Sequence, residues 1–317
     1  MPPIVKNQHG PQRYGPSITR NLITDQTPET IIDVNGGAVW AFNVIEGLGV
    51  APAGAESLWY FPGDLQRQYM LSEWRYVSSA AGCYMGMVAR AATPGAGTLG
   101  YYLLGVQNNN TVRIVGVTGA GDAVLATAAI PALELTEIFR LQAWVLANYG
   151  ANTQDIILEQ LSRARVSNTP GAANYNLAAI NDPCNFNLDI DGGATQTIVF
   201  ASGDALIIAN GGLGALTNVG VAAVLNDQMV GGYAMVPTGA TYVVIYTNTW
   251  ASSGAIDIDA VAFDANAAFA FPVVPATGSA TQVRVSNNDR IRGFSGVIGG
   301  HSGNTASWVR SFAISGV

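Results

Sequence analysis

From Ile31 to about Ile180 the chain alternates short apolar runs with turn formers: VWAFNVI, CYMGMVA, LGYYLLGV, TVRIVGV, AVLATAAI, IFRLQAWVL and DIILEQL, separated by Gly, Asn and Pro. Runs of this length between such residues predict the strands of a sandwich or barrel. The alternation is cleanest in Phe139-Arg140-Leu141-Gln142-Ala143-Trp144-Val145. Arg140 and Gln142 fall on one face of an extended chain, so one face is wet and the other packed. The main helical candidate is Asp64 to Val77, where Leu65, Tyr69 and Met70 approach helical spacing, although Trp74, Tyr76 and Val77 fit a strand equally well.

Residues 181–280 carry the runs TIVF, ALIIA, VGVAAVL, YVVIY and IDIDAVAF, with Asn210-Gly211-Gly212 and Asn226-Asp227 as turn signals. Residues 1–30 hold Pro2, Pro3, Pro11, Pro16 and Pro28 beside Lys6, Arg13 and Arg20. Proline at this density blocks helix and central strand alike, which predicts an extended arm of the kind that lies across a neighbour in an assembly. The expected organisation is an arm over 1–30, an antiparallel β-sandwich over 31–180, a charge-poor second β domain or insertion over 181–280, and closing strands over 281–317. Those closing strands either return to the first sandwich or belong to an independent one. No internal repeat of fixed period is evident.

Charge changes the picture. Charged residues make up 11% of the 317 residues, against about 25% in an average soluble domain. No Lys or Arg occurs between Arg165 and Arg284, and no Glu follows Glu159. Such a stretch cannot build the ion-paired faces of ordinary surface helices, and it predicts a surface shared with other copies or partners. The net charge of -7 argues against a nucleic-acid partner, which would require clustered cations. No run approaches the roughly 20 apolar residues of a membrane span. The first residues lack the apolar core of a secretory signal, so the expectation is synthesis in a cytoplasm without export by such a signal. Cys83 and Cys184 lack metal-ligand spacing and read as buried free thiols.

The strand order from Cys83 to Leu161 resembles the concanavalin A-like, laminin-G-like jelly roll found in phage virion proteins and glycan-binding modules. The resemblance is carried by YMGMVAR (84–90), GYYLLGVQNNNTVRIVGV (100–117), AVLATAAI (123–130), EIFRLQAWV (137–145) and DIILEQL (155–161). The closing GFSGVIGGHSGNTASWVRSFAISGV (293–317) is similar to that family's last two strands. The match spans under half of the chain. It departs from the family pattern where more than a hundred residues separate IILEQL from GFSGVIGG.

Several constellations are candidates for chemistry. Asp257 and Asp259, alternating with Ile256 and Ile258, would lie on one face of a strand about 7 Å apart. The segment is similar to an acid-bearing strand of one jelly-roll glycosidase family, but Ala255 stands at the first acidic position, which the resemblance gives to the nucleophile. Asn187, Asp189, Asp191 and Gly192 partly imitate a calcium loop, with Asp189 and Asp191 as the metal candidates, yet Ile198 stands where a closing Glu is needed. The alternative there is a strand entering the Gly192-Gly193 turn. His9 lies in the arm and His301 in a Gly-rich loop without a nucleophile elbow. Gly95-Ala96-Gly97 and Gly119-Ala120-Gly121 read as hairpin turns, not phosphate loops. Trp250, in a polar segment with Tyr246, is the candidate for an exposed sugar-stacking or inter-subunit ring.

Together these features point to a non-enzymatic all-β structural protein without a cofactor. The resemblance implies a virion of bacteriophage type, with the chain as a capsid decoration, fibre or tail component. Its expected partners are copies of itself, as a trimer or larger, and other virion proteins. The alternatives are a carbohydrate-binding module for cell-surface glycans and a divergent glycan-cleaving enzyme.

Overall fold

The computed structural model describes residues 30–33, 41–43, 48–50, 57–61, 67–76, 84–91, 100–108, 110–118, 121–148, 150–168, 171–259, 264–288, 294–300 and 308–316. The fold is all-β in class, 57% strand against 13% helix, built from several antiparallel sheets that include a curled half-barrel. Among the described residues no helix is long and apolar enough to cross a membrane. The chain forms two compact units, Met1–Gln160 with Thr281–Val317, and Leu161–Ala280.

The first unit is built from β1 (Thr30–Asp33), β2 (Ala41–Asn43), β3 (Leu48–Val50), β4 (Ser57–Phe61), β5 (Arg67–Arg75), β6 (Tyr84–Ala91), β7 (Tyr101–Gln107), β8 (Thr111–Thr118), β9 (Gly121–Ala129), β10 (Ile138–Asn148) and the start of β11 (Thr153–Ser167). Within the second lie β12 (Asn174–Tyr175), β13 (Cys184–Ile190), β14 (Gln196–Phe200), β15 (Leu216–Thr217), β16 (Gly232–Met235), β17 (Val244–Trp250), β18 (Ala255–Asp259) and β19 (Ala276–Thr277). Its helices are α1 (Ala205–Ala209), α2 (Asn218–Gln228) and α3 (Asn266–Phe269). The chain re-enters the first unit within β20 (Ser279–Asn287) and ends in β21 (Phe294–Gly300) and β22 (Trp308–Gly316).

One sheet of the first unit runs β1-β4-β21-β6-β7-β8-β9 and the other β11-β10-β5-β22-β3-β2, with β20 paired to β11. The core between them draws Met85, Met87, Leu104, Val112 and Ile114 from the first and Met70, Trp74, Phe139, Leu141, Val145, Ile156 and Leu158 from the second. These are the inward positions of alternating strands, and each large side chain so buried contributes roughly 1.5–3 kcal/mol. Gly86 faces Gly105 across β6 and β7, where an added Cβ on Gly86 would lie 2.4 Å from the Leu104 carbonyl oxygen. The close approach of the two strands therefore requires glycine.

The segment around Tyr69 that approaches helical spacing is strand β5, not a helix. Met70, Ser72, Trp74 and Tyr76 all point inward at period two, and their burial outweighs the helical spacing of Leu65, Tyr69 and Met70.

In the second unit, β14-β13-β18-β19 form one sheet. Phe186, Phe200, Phe269, Phe271 and Tyr175 form an aromatic cluster with ring centroids 5.0–6.2 Å apart. Two runs expected as strands are helices. ALIIA forms α1, started by Asp204 Oδ1 accepting from the Leu206 N–H at 2.7 Å and ended near Gly211 at φ +105°. VGVAAVL lies in α2, capped by Thr217 Oγ1 accepting from the Gly220 N–H at 3.1 Å. Asn226-Asp227, expected as a turn, is the last turn of α2. Capping and tertiary burial override the β-branched character of these runs.

Candidate functional site

The strand β10 carries Ile138, Arg140, Gln142, Trp144, Leu146 and Asn148 on its wet face, with the intervening residues buried. Pairing with β5 sets Arg140 opposite Glu73 and Trp144 opposite Tyr69. The Arg140 guanidinium donates to Glu73 Oε1 through Nη2 at 2.5 Å and Nε at 3.2 Å. The Tyr69 hydroxyl donates to Gln142 Oε1 at 3.0 Å, and the Gln142 amide donates to Glu159. Burial pushes the Tyr69 phenol up to about 12; the nearby Arg140 lowers it and Glu159 raises it, both by less. The phenol remains a neutral donor at any ordinary pH. The Tyr69 and Trp144 rings pack at 5.3 Å and 55°.

Along this face, Trp144, Leu146, Ile157 and Gln282 line an apolar groove of about 320 Å³. Leu146 also borders a polar cleft of about 590 Å³ at the ends of β5, β10, β11 and β20, whose walls include Arg67, Gln154, Asp155, Ser286, Asn287 and Asn288. Asp155 accepts from Ser286 Oγ and, at 2.8 Å, from the Arg284 guanidinium. The Ser286 bond, with the Arg284 bond and charge behind it, holds its carboxyl below the usual aspartate range. Gln154 Nε2 donates to Asn287 Oδ1 at 2.9 Å, and Asn287 Nδ2 donates to the Tyr102 hydroxyl at 2.9 Å. No motif or spacing in the sequence marks these cleft and groove residues. The one signal is at Trp144, which shares the parity of Arg140 and Gln142.

In the second unit Trp250 stands opposite Arg163, whose guanidinium lies 4.2 Å from the Trp250 ring centroid and 5.2 Å from that of Tyr233. Tyr233 in turn stacks on Tyr246 at 5.1 Å and 12°. Tyr246 is fully buried and Trp250 half-buried. Tyr246 is thus covered by Tyr233, while Arg163 lies over the rings of Tyr233 and Trp250.

Asp257 and Asp259 do share the outer face of β18, opposite Asp189 and Asn187 of β13. Asn187 Oδ1 and Asp189 Oδ1 are buried and meet no hydrogen-bond donor among the described residues. Asp191, two residues on, has bonds of its own. It begins the turn with φ +56°, and its carboxylate accepts from Thr249 Oγ1 and, at 2.9 Å, from the Ala255 N–H. Among the described residues no three His, Cys, Asp or Glu gather as a metal site.

Cys184 is buried, with Sγ donating to the Asn181 carbonyl at 2.7 Å, and burial pushes its thiol up. Thr118 pairs with Gly121 at the end of the β8–β9 hairpin. Residues 1–29, which include His9, together with Cys83, Gly95-Ala96-Gly97 and His301, lie outside the described residues.

Comparison with protein-family models, with curated proteins and with solved structures finds no match for this chain.

Proposed function

We propose that this chain is a non-enzymatic structural protein used in many copies, in a setting of bacteriophage-virion type such as a capsid decoration, fibre or tail component. One observation carries the reading: the second unit exposes aliphatic side chains where charges would normally stand. Val230 is 74% exposed, Ile208 62%, Val219 61% and Val199 36%. The unit has two arginines and eight aspartates in its 120 residues, with no Lys, Glu or His.

Ile208, Val219 and Val199 lie on elements that pack together, since α2 rests against both α1 and β14, and Val230 follows α2 directly. The edge strand β14 is partly sealed. The Gln228 side chain bonds the Val199 N–H at 2.8 Å and its carbonyl at 2.9 Å, and Gln196 does the same for Val230 at 2.7 and 2.9 Å. Copies would therefore associate through aliphatic side chains and not through strand addition at Val199. Covering such a surface costs little, because few ions must be stripped of water.

The test is a double variant, Ile208→Arg with Val219→Arg, at two exposed positions. The reading expects it to reduce the particle mass in solution to that of one chain while the circular dichroism spectrum is kept. An unchanged oligomer would count against it.

A further inference from the structure

We propose that the outer edge of β9 pairs antiparallel with the β9 of a second copy, so that the sheet β1-β4-β21-β6-β7-β8-β9 continues from one chain into the next. The inference rests on the reading of the chain as a protein used in many copies, and it adds a contact in the first unit. β9 ends that sheet, and Gly121–Ala129 pair with β8 along one side, interrupted only by a bulge at Leu125. Among the described residues no backbone group from Asp122 to Ala129 bonds to backbone on the other side. A row of free N–H and C=O groups on an extended strand is a template for another strand. Ala126 and Ala128 pack on the core between the sheets, which anchors the strand while its edge stays open.

Sheets guard their edges with lysine, proline, short strands or side chains that bond the edge. Here β1 and β16 have four residues each and β2 has three. β14 is bonded at Val199 by Gln228, and β20 carries the ion-paired Arg284. β9 has one charge, Asp122, and no lysine or proline in its nine residues. Val124 is 53% exposed and Leu125 42%. A second β9 fits this edge. Laid antiparallel about Leu125, Asp122 meets Ala128 of the second copy, Ala123 meets Thr127, and Val124 meets Ala126. The two Asp122 carboxylates then stand at opposite ends of the ladder and do not oppose each other. The regular stretches on either side of the bulge are matched in the same register. Such a contact is isologous and closed by a two-fold axis. A ladder this short is marginal by itself in water, so it joins copies that the second unit has already gathered.

The test uses the full chain, read by light-scattering mass and by cross-linking. Val124→Lys with Thr127→Lys, at two exposed positions, sets cations along the edge. This variant should cut the mass of the assembly to about half, with more than one chain remaining and the circular dichroism spectrum kept. Leu125→Cys puts a thiol on the two-fold axis, where facing Cα atoms stand about 4.5–5.5 Å apart, within disulfide reach. Mild oxidation should give a covalent dimer, and peptide mapping should find position 125 of one chain bonded to position 125 of another. An unchanged mass in the lysine variant overturns the proposal. So does absence of the 125–125 linkage, which would give the edge to another occupant. The result is separable from that of Ile208→Arg with Val219→Arg: if that variant keeps its mass while the 125–125 linkage forms, the second-unit contact fails and the β9 contact stands.

Discussion

On the wet face of the first unit, ionised groups meet each other: Arg140 on Glu73, and Arg284 on Asp155. In the second unit the corresponding work is done by neutral amides and hydroxyls. Asn168 Nδ2 donates to the Tyr175 hydroxyl, which donates to Asn218 Oδ1 at 2.7 Å, while Asn218 Nδ2 reaches the Ala172 and Thr241 carbonyls at 2.8 and 2.9 Å. Asn226 holds both backbone groups of Ala234, at 2.7 and 2.8 Å. Neutral bonds of this kind satisfy buried groups without a counter-ion, so they depend little on salt. They also allow a surface to be covered by another copy without desolvating charge. The difference between the units is thus one of how polarity is handled, and it bears directly on which surface can be shared.

The strongest way to break the comparison is Asn218→Leu. Removing Asn218 leaves the Tyr175 hydroxyl and two carbonyls short of partners, which should cost about 2–3 kcal/mol in urea unfolding, nearly independent of salt. A loss that shrinks in high salt would mean that charge contributes there after all. Next in size is an alkaline effect in the first unit. The Tyr69 phenol has a folded pKa of about 12 against an ordinary value of 10.0, so its neutral form is favoured by folding. That contribution is complete below pH about 10 and is lost as pH rises toward about 12, amounting to roughly 2 kcal/mol. Melting temperature against pH should fall more steeply across that window in the wild type than in Tyr69→Phe.

A smaller effect belongs to the half-buried Arg140–Glu73 pair, whose side chains are 28% and 16% exposed. Arg140→Met should destabilise by about 0.5–1 kcal/mol at low salt, and the difference should narrow at high salt. The smallest expected effect has the opposite sign. Asp257 stands directly across from Asp189, a like-charge pair that opposes strand pairing. Asp257→Asn should therefore raise stability by about 0.2–1 kcal/mol. A loss of stability would show that the pair holds something favourable.

The strands were legible where alternation was strict. Phe139 to Val145 was readable as wet on one face and packed on the other, and β10 has that burial pattern. Asp257 and Asp259 likewise occupy one strand face. The helices of the second unit were not legible as such. The apolar residues of α2 run round the helix, with Val219 exposed while Val221, Ala222, Val224 and Leu225 are buried, so no helical period stands out. The signals that mark these helices are local caps, Asp204 before ALIIA and Thr217 before VGVAAVL, each bonding an N–H of the first turn. The cleft was hidden for another reason. Arg67, the neighbours Gln154 and Asp155, and Asn287 lie on three stretches distant in sequence and are brought together only by strand register.

The most direct test of shared, charge-poor surfaces is the absolute mass of the purified chain, measured by light scattering over a wide dilution series. The account predicts a discrete trimer or larger assembly that persists on dilution. A single chain of 33.0 kDa at every concentration would contradict it.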